Sequence, residues 1–253
     1  MADKRTDIQE YYDKELIVYG NHPSLVPQYI PTGISDLDKL LDGGLRRKAF
    51  SLFVGEYGQG KTWTAQMLAK TSINAGLTVA YVDVEKSYHP GWWKQVGVNI
   101  SKLQVALPQY GEQVIDMVVD LLKEEIDVII IDSTAAMVPT AEEEVTADQQ
   151  TMGLHPKLVG KFYKLANIAN KSSHVFVINQ LRENIGVVYG NPQTVPGGRA
   201  QGFFSSTYIQ CRRSGWIEEN KVRKGFDLKY EVMKQRGTAN VGDSITVPFL
   251  FSG

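Results

Sequence analysis

The chain reads as an α/β fold with a mostly parallel central sheet, helices on both faces and antiparallel strands at the C-terminal end. Three observations predict it. Short apolar runs alternate with helical-period segments from residue 49 to residue 179, the pattern of a parallel sheet with helical crossovers. DVIIID (127–132) has no polar alternation, as expected of a strand covered on both faces. Three strand-like segments close the chain with no helix between them, so they extend the sheet as hairpins.

In chain order, residues 6–14 read as a short polar helix and ELIVYG (15–20) as a strand. NHPSLVPQYIPTG (21–33) holds three prolines and reads as a linker. ISDLDKLLDGG (34–44) has apolar residues at helical spacing and a terminal glycine pair, a helix stop. Strands are expected at 49–55, 77–83, 103–108, 127–132 and 173–179, and helices at 62–76, 90–97, 110–125 and about 152–171. The closing strands are 205–213, 226–235 and 244–251. Residues 1–30 thus form an arm and linker, and residues 31–253 the core.

With 253 residues, 43% apolar and 22% charged, the composition is that of a globular protein. It excludes disordered, collagenous and low-complexity chains. No run of about 18 apolar residues is present to span a membrane. The charged N-terminus lacks the apolar stretch of a secretory signal. One cysteine, Cys211, cannot form an internal disulfide, and a cytoplasmic location is the expectation. Residues 152–236 carry 14 Lys and Arg against 5 Asp and Glu, while the rest of the chain carries 13 against 23. The basic third is either a polyanion-binding face or a set of solvated charges.

Gly55, Glu56, Tyr57, Gly58, Gln59, Gly60, Lys61 and Thr62 spell G-x-x-x-x-G-K-[ST] between a strand and a helix. Glycines permit a tight loop whose N–H groups converge on phosphate oxygens, and the helix N-terminus adds positive potential. Lys61 supplies a point charge and the Thr62 hydroxyl a ligand for Mg²⁺. Asp132 ends the apolar strand 127–132, at the carboxyl edge where a metal-holding carboxylate is needed. Asp83 and Glu85 follow another strand end, and either could polarise an attacking water.

These segments resemble the RecA family of DNA strand-exchange recombinases, its bacterial and phage branch, from about residue 31 to residue 250. The resemblance rests on PTGISDLDKLLDGGL (31–45), AYVDVEKSYHP (80–90), VIIIDSTAAMVP (128–139) and FVINQLRENIGVVYGNPQTVPGGRA (176–200), in that order. It implies a RecA-like P-loop NTPase core that binds ATP and Mg²⁺. It singles out Glu85 as the catalytic carboxylate and makes Gln180 the γ-phosphate sensor. It implies DNA-binding loops at about 141–152 and 182–199, with Lys157, Lys164, Arg182, Gly197, Gly198 and Arg199 toward DNA. It places Lys234 and Arg236 on the ATP of a neighbouring protomer, and Phe203 against that neighbour. The family usually has two lysines where this chain has Lys234 and Arg236. Trp92 falls at the adenine-stacking position with Trp93 beside it, and His89 stands where bacterial members carry an acidic residue. The first loop is acidic, with Glu142, Glu143, Glu144 and Asp148.

The resemblance implies an ATP-dependent single-stranded-DNA-binding recombinase that forms head-to-tail filaments, pairs homologous double-stranded DNA and hydrolyses ATP on DNA stimulation. Single-strand-binding or loading proteins are further expected partners, and a membrane is not. The chain stops just after the core, which reads as a minimal phage-type member or a truncated chain. A ring-forming helicase motor and a regulatory or mediator ATPase are the competing readings within the same superfamily.

Overall fold

The structure, a computed structural model, describes residues 17–143, 153–183, 193–237 and 240–251. Among these, Tyr29–Ile30 (β1), Ser35–Leu40 (α1) and Leu45–Arg46 (β2) lead into Ala49–Gly55 (β3) and Lys61–Asn74 (α2). Then follow Val79–Asp83 (β4), Pro90–Val96 (α3), Leu103–Ala106 (β5), Gly111–Lys123 (α4), Val128–Asp132 (β6) and a 3₁₀ turn at Thr134–Ala136. Thr140–Glu143 (α5), Leu154–Ala169 (α6), His174–Gln180 (β7), Arg182–Glu183 (β8), Gln193–Thr194 (β9) and Ala200–Phe204 (α7) come next. Thr207–Glu219 (β10), Val222–Gln235 (β11) and Ser244–Leu250 (β12) complete the order.

One sheet of eight strands runs β12-β11-β10-β3-β7-β6-β4-β5. From β10 to β5 every neighbouring pair is parallel, and β11 and β12 join antiparallel. This is the expected class. β3, β4 and β6 are buried along their whole length, and the period of two still sorts their side chains into separate cores. Phe53, Tyr81, Ile130 and Phe176 pack with Ala65, Leu68 and Ala69 of α2. Leu52, Val82, Ile131 and Val177 pack with α4 and α6 on the other face. α4 turns Val114, Ile115, Val118 and Leu122 inward, one apolar stripe at helical spacing. No helix of the described residues is long and apolar enough to cross a membrane.

Three expectations change. The strand proposed at 15–20 is not formed over residues 17–20, which have no regular secondary structure. Ile17 and Tyr19 are exposed there, and an extended segment without a pairing partner has no ladder to hold it. The helix proposed at 6–14 lies outside the described residues. The linker at 21–33 contains β1, which pairs antiparallel with β2. The hairpin of β10 and β11 is longer than its sequence suggested, because Asn220 and Lys221, both at positive φ (50° and 65°), close a two-residue turn between them. Such turns match strand twist and carry polar residues far along the ladder.

Candidate functional site

Parallel strands deliver their carboxyl ends to one edge. The register sets Gly55 opposite Gln180 and Asp83 opposite Asp132. The loop after β3, the end of β6 and the turn after β4 therefore share one cleft of about 670 Å³.

The loop Gly55–Thr62 wraps the N-terminus of α2. Gly60 caps the helix at φ 73°, and a Cβ there would meet Leu228 Cδ2 at 2.6 Å, so only glycine fits. Gln59 is buried and its Oε1 accepts the Arg213 backbone N–H, fastening the loop to β10. Glu56, Tyr57 and Gly58 are exposed at its tip. Lys61 is buried and donates to the carbonyls of Gly55 and Glu56 at 2.9 and 2.7 Å. Burial lowers its pKa, opposed by negative groups that include Asp132 and Glu85. Behind the loop, Cys211 of β10 is buried, and burial pushes its thiol up to about 12.

Asp132 is 2% exposed, and its Oδ2 accepts from Thr62 Oγ1 at 2.8 Å and Tyr81 Oη at 3.1 Å. Burial, then the charge of Glu85, raises its pKa to about 6. A hydroxyl beside a carboxylate is a hard-oxygen pair. It suits Mg²⁺, which uses one or two protein oxygens and fills its shell with phosphate oxygens and water. Among the described residues no cluster of three or more His, Cys, Asp or Glu competes as a metal site.

Asp83 and Glu85 separate by environment. Asp83 is 2% exposed and accepts the Ser87 and Tyr88 backbone N–H groups at 3.0 and 2.9 Å, so it builds the turn. Glu85 is exposed and faces the cleft. Its Oε1 accepts from Ser133 Oγ and, at 2.8 Å, from Gln180 Nε2. The expected water-activating group and the expected phosphate sensor are thus hydrogen-bonded to each other.

At the far end of the cleft the two tryptophans divide. Trp93 is 2% exposed and packs edge-on against Tyr81, whereas Trp92 is 62% exposed. Trp92 alone has a face free to stack. Opposite stand Trp216, Phe249 and Phe251, with the Arg213 and Arg223 guanidinium groups each 4.2 Å from the Trp216 ring centroid.

Lys157, Lys164, Arg182, Gly198 and Arg199 are exposed, and Lys161 joins Lys157 and Lys164 on one face of α6. Gly197 is different. It is buried at φ 97°, and a Cβ on it would lie 2.7 Å from Gln201 Nε2 and 3.1 Å from Val159. Close packing against Gln201 and Val159 is thus one demand for glycine at this position. The stem of the second loop is an antiparallel ribbon, with Arg182 opposite Thr194; residues 184–192, and 144–152 of the first loop, lie outside the described residues. Lys234 Nζ donates to the Gly202 and Phe203 carbonyls at 2.6 and 3.2 Å, and Arg236 donates to the Phe203 carbonyl at 2.8 Å. Neither lines its own chain's cleft; both sit beside Phe203, which is 68% exposed.

Sequence reasoning missed Ser133 and Trp216. Ser133 had a signal, its place directly after the strand-end Asp132. Trp216 had none, because it lies beyond the strand expected at 205–213.

A family profile described as the RecA N-terminal domain matches residues 3–251. "Protein RecA" of Thermus aquaticus is 36% identical over 238 residues, covering 92% of this chain and 70% of that protein. "Protein RecA" of Caldanaerobacter subterraneus subsp. tengcongensis is 35% identical over 236 residues, covering 91% and 69%. That of Mesoplasma florum is 33% identical over 247 residues, covering 96% and 72%. A profile match over nearly the whole chain, with relatives of this identity and coverage, shows that the chain belongs to the RecA family of DNA strand-exchange recombinases.

Proposed function

We propose that this recombinase binds ATP with Mg²⁺ in the cleft at the carboxyl edge of β3, β4, β6 and β7, and hydrolyses it when assembled on single-stranded DNA. The single observation that carries the reading is the convergence of Lys61, Thr62, Asp132, Glu85 and Gln180 on that cleft. Lys61 exchanges its two loop carbonyls for β- and γ-phosphate oxygens. Thr62 and Asp132 would hold Mg²⁺, which when bound neutralises phosphate charge. Glu85 orients and polarises the attacking water. Trp92 offers its exposed face to the base.

Gln180 links chemistry to DNA. Hydrogen-bonded to Glu85, it stands where it can turn to the γ-phosphate when ATP binds, and the ribbon that starts at Arg182 moves with it. The basic face of α6, with Arg182 and Arg199, takes DNA phosphates, which makes binding sequence-tolerant and salt-sensitive. Lys234 and Arg236 act on the neighbouring protomer's ATP, with Phe203 docked against that neighbour and residues 1–30 as its arm. The resulting contact is heterologous and need not close, giving a filament that pairs the bound strand with a homologous duplex.

The test is ATP hydrolysis with and without single-stranded DNA, beside a Glu85→Gln control. Strong stimulation that vanishes in the control supports the reading. Hydrolysis indifferent to DNA returns the chain to a regulatory ATPase.

A further inference from the structure

Behind Gln180, four stretches of chain meet around one buried amide. Asn179, at the end of β7, Thr134, in the turn after β6, and Gln201, in the first turn of α7, are each at most 1% exposed. Asn179 Nδ2 donates to Gln201 Oε1 at 2.6 Å and to the Pro196 carbonyl at 2.8 Å. Thr134 Oγ1 donates to the same Gln201 Oε1 at 3.0 Å. Gln201 Nε2 donates to the Pro196 carbonyl. The network reaches outward in two directions. Asn179 Oδ1 accepts the Gln180 backbone N–H at 2.7 Å. The Thr134 carbonyl accepts from His155 Nε2 at 2.9 Å, at the start of α6.

We infer that Gln201 is a positioning residue that ties Gln180 to the roots of both DNA loops, and so sets how strongly ATP and DNA promote each other's binding. The inference rests on the reading of Gln180 and the loops given above. Pro196 and Gly197 are where the second loop returns to the core, and His155 is where α6 leaves the first. Gln201 Oε1 serves donors from two strand ends that flank the cleft, while its Nε2 holds the loop's return. The Gln201 amide also lies against Gly197, where a Cβ would crowd it at 2.7 Å and φ of 97° favours glycine. A displaced Gln180 backbone carries Asn179 with it. Asn179 cannot move without either dragging Gln201 and Pro196 or leaving buried donors unpaired, which low-dielectric surroundings penalise. The elements therefore rearrange together, as coupled switches do.

Gln201→Leu keeps the side chain's approximate volume and removes both amide functions. The measurement is the affinity for a fluorescent thymidine oligonucleotide with and without a slowly hydrolysed ATP analogue, and for the analogue with and without the oligonucleotide. The expected result is a coupling factor at least tenfold below that of the unaltered protein. Linkage requires the same loss in both directions. Analogue affinity without DNA should stay within about twofold, a combination that mere loosening of the fold would not give. Unaltered coupling in Gln201→Leu overturns the inference. Should that variant fail to fold, Thr134→Val removes one donor to the same oxygen: reduced coupling supports the inference and full coupling overturns it. Absence of coupling in the unaltered protein would instead refute the functional reading beneath it.

Discussion

Gln180 Nε2 donates to Glu85 Oε1 at 2.8 Å across the gap between β7 and the turn after β4. The base candidate is thus held by the very side chain expected to report the γ-phosphate. While that contact stands, one carboxylate oxygen is occupied by Gln180 and Ser133 and is less available to water.

Glu85→Gln is expected to lower kcat about 10²–10⁴-fold, the range for loss of a general base, while binding of an ATP analogue persists. Ser133→Ala removes one of the two donors to Glu85 and should change kcat with little effect on KM. Steady-state kinetics with saturating single-stranded DNA separates the two. A Glu85→Gln enzyme with normal turnover would remove Glu85 from the chemistry.

Lys234 and Arg236 rest on carbonyls beside exposed Phe203 and away from their own cleft. If they serve a neighbour, a Lys234→Ala/Arg236→Ala double variant mixed with Glu85→Gln regains ATPase activity, because some junctions pair an intact Glu85 with intact cations. A mixture as inactive as its components would confine the cations to their own chain.

The two tryptophans should respond oppositely. Trp92→Ala is expected to weaken ATP binding with Tm nearly unchanged. Trp93→Ala opens the core against Tyr81 and should cost about 3–5 kcal/mol of stability. Thermal melts and nucleotide titrations decide it; equal losses of stability would be wrong for this geometry.

His174 gives a pH prediction. It is fully buried, with Nε2 on Ser51 Oγ at 2.9 Å and Nδ1 on the Arg46 carbonyl at 2.8 Å. Burial, with the nearby Arg47 charge, pushes its pKa down from 6.5 to about 4. Between those values the unfolded chain holds the extra proton. The contribution is therefore fully present above 6.5 and is lost as pH falls toward 4, at up to about 1.4 kcal/mol per pH unit. His174→Gln should flatten the stability–pH curve in that window, as read by denaturant titrations. An unchanged slope would show that the ring titrates normally.

Most of the parallel sheet was legible because buried strands and amphipathic helices carry their own periods, as in DVIIID and the stripe of Val114, Ile115, Val118 and Leu122. The phosphate loop was legible because phosphate binding constrains residue types at fixed spacing. Asp83 and Glu85 could not be told apart by spacing, since both follow the same strand; the resemblance favoured Glu85, and the turn that Asp83 closes separates them physically. The packing demand at Gly197 was not legible, because a glycine required by close packing looks the same in sequence as one required by a ligand. Trp216 and the outer hairpin were hidden by polar residues around Asn220. Gln201 lay twenty-one residues beyond Gln180, and no local pattern announces a contact made through the core.

Cys211, the sole cysteine, lies sealed behind the phosphate loop with its thiol pushed up to about 12. At neutral pH it is almost wholly protonated and out of reach of alkylating reagents. The native sequence is therefore already a silent background for thiol chemistry. A cysteine placed at exposed Arg182 or on the outer face of α6 can take a spectroscopic probe selectively, with no need to disturb the packing against Gly55.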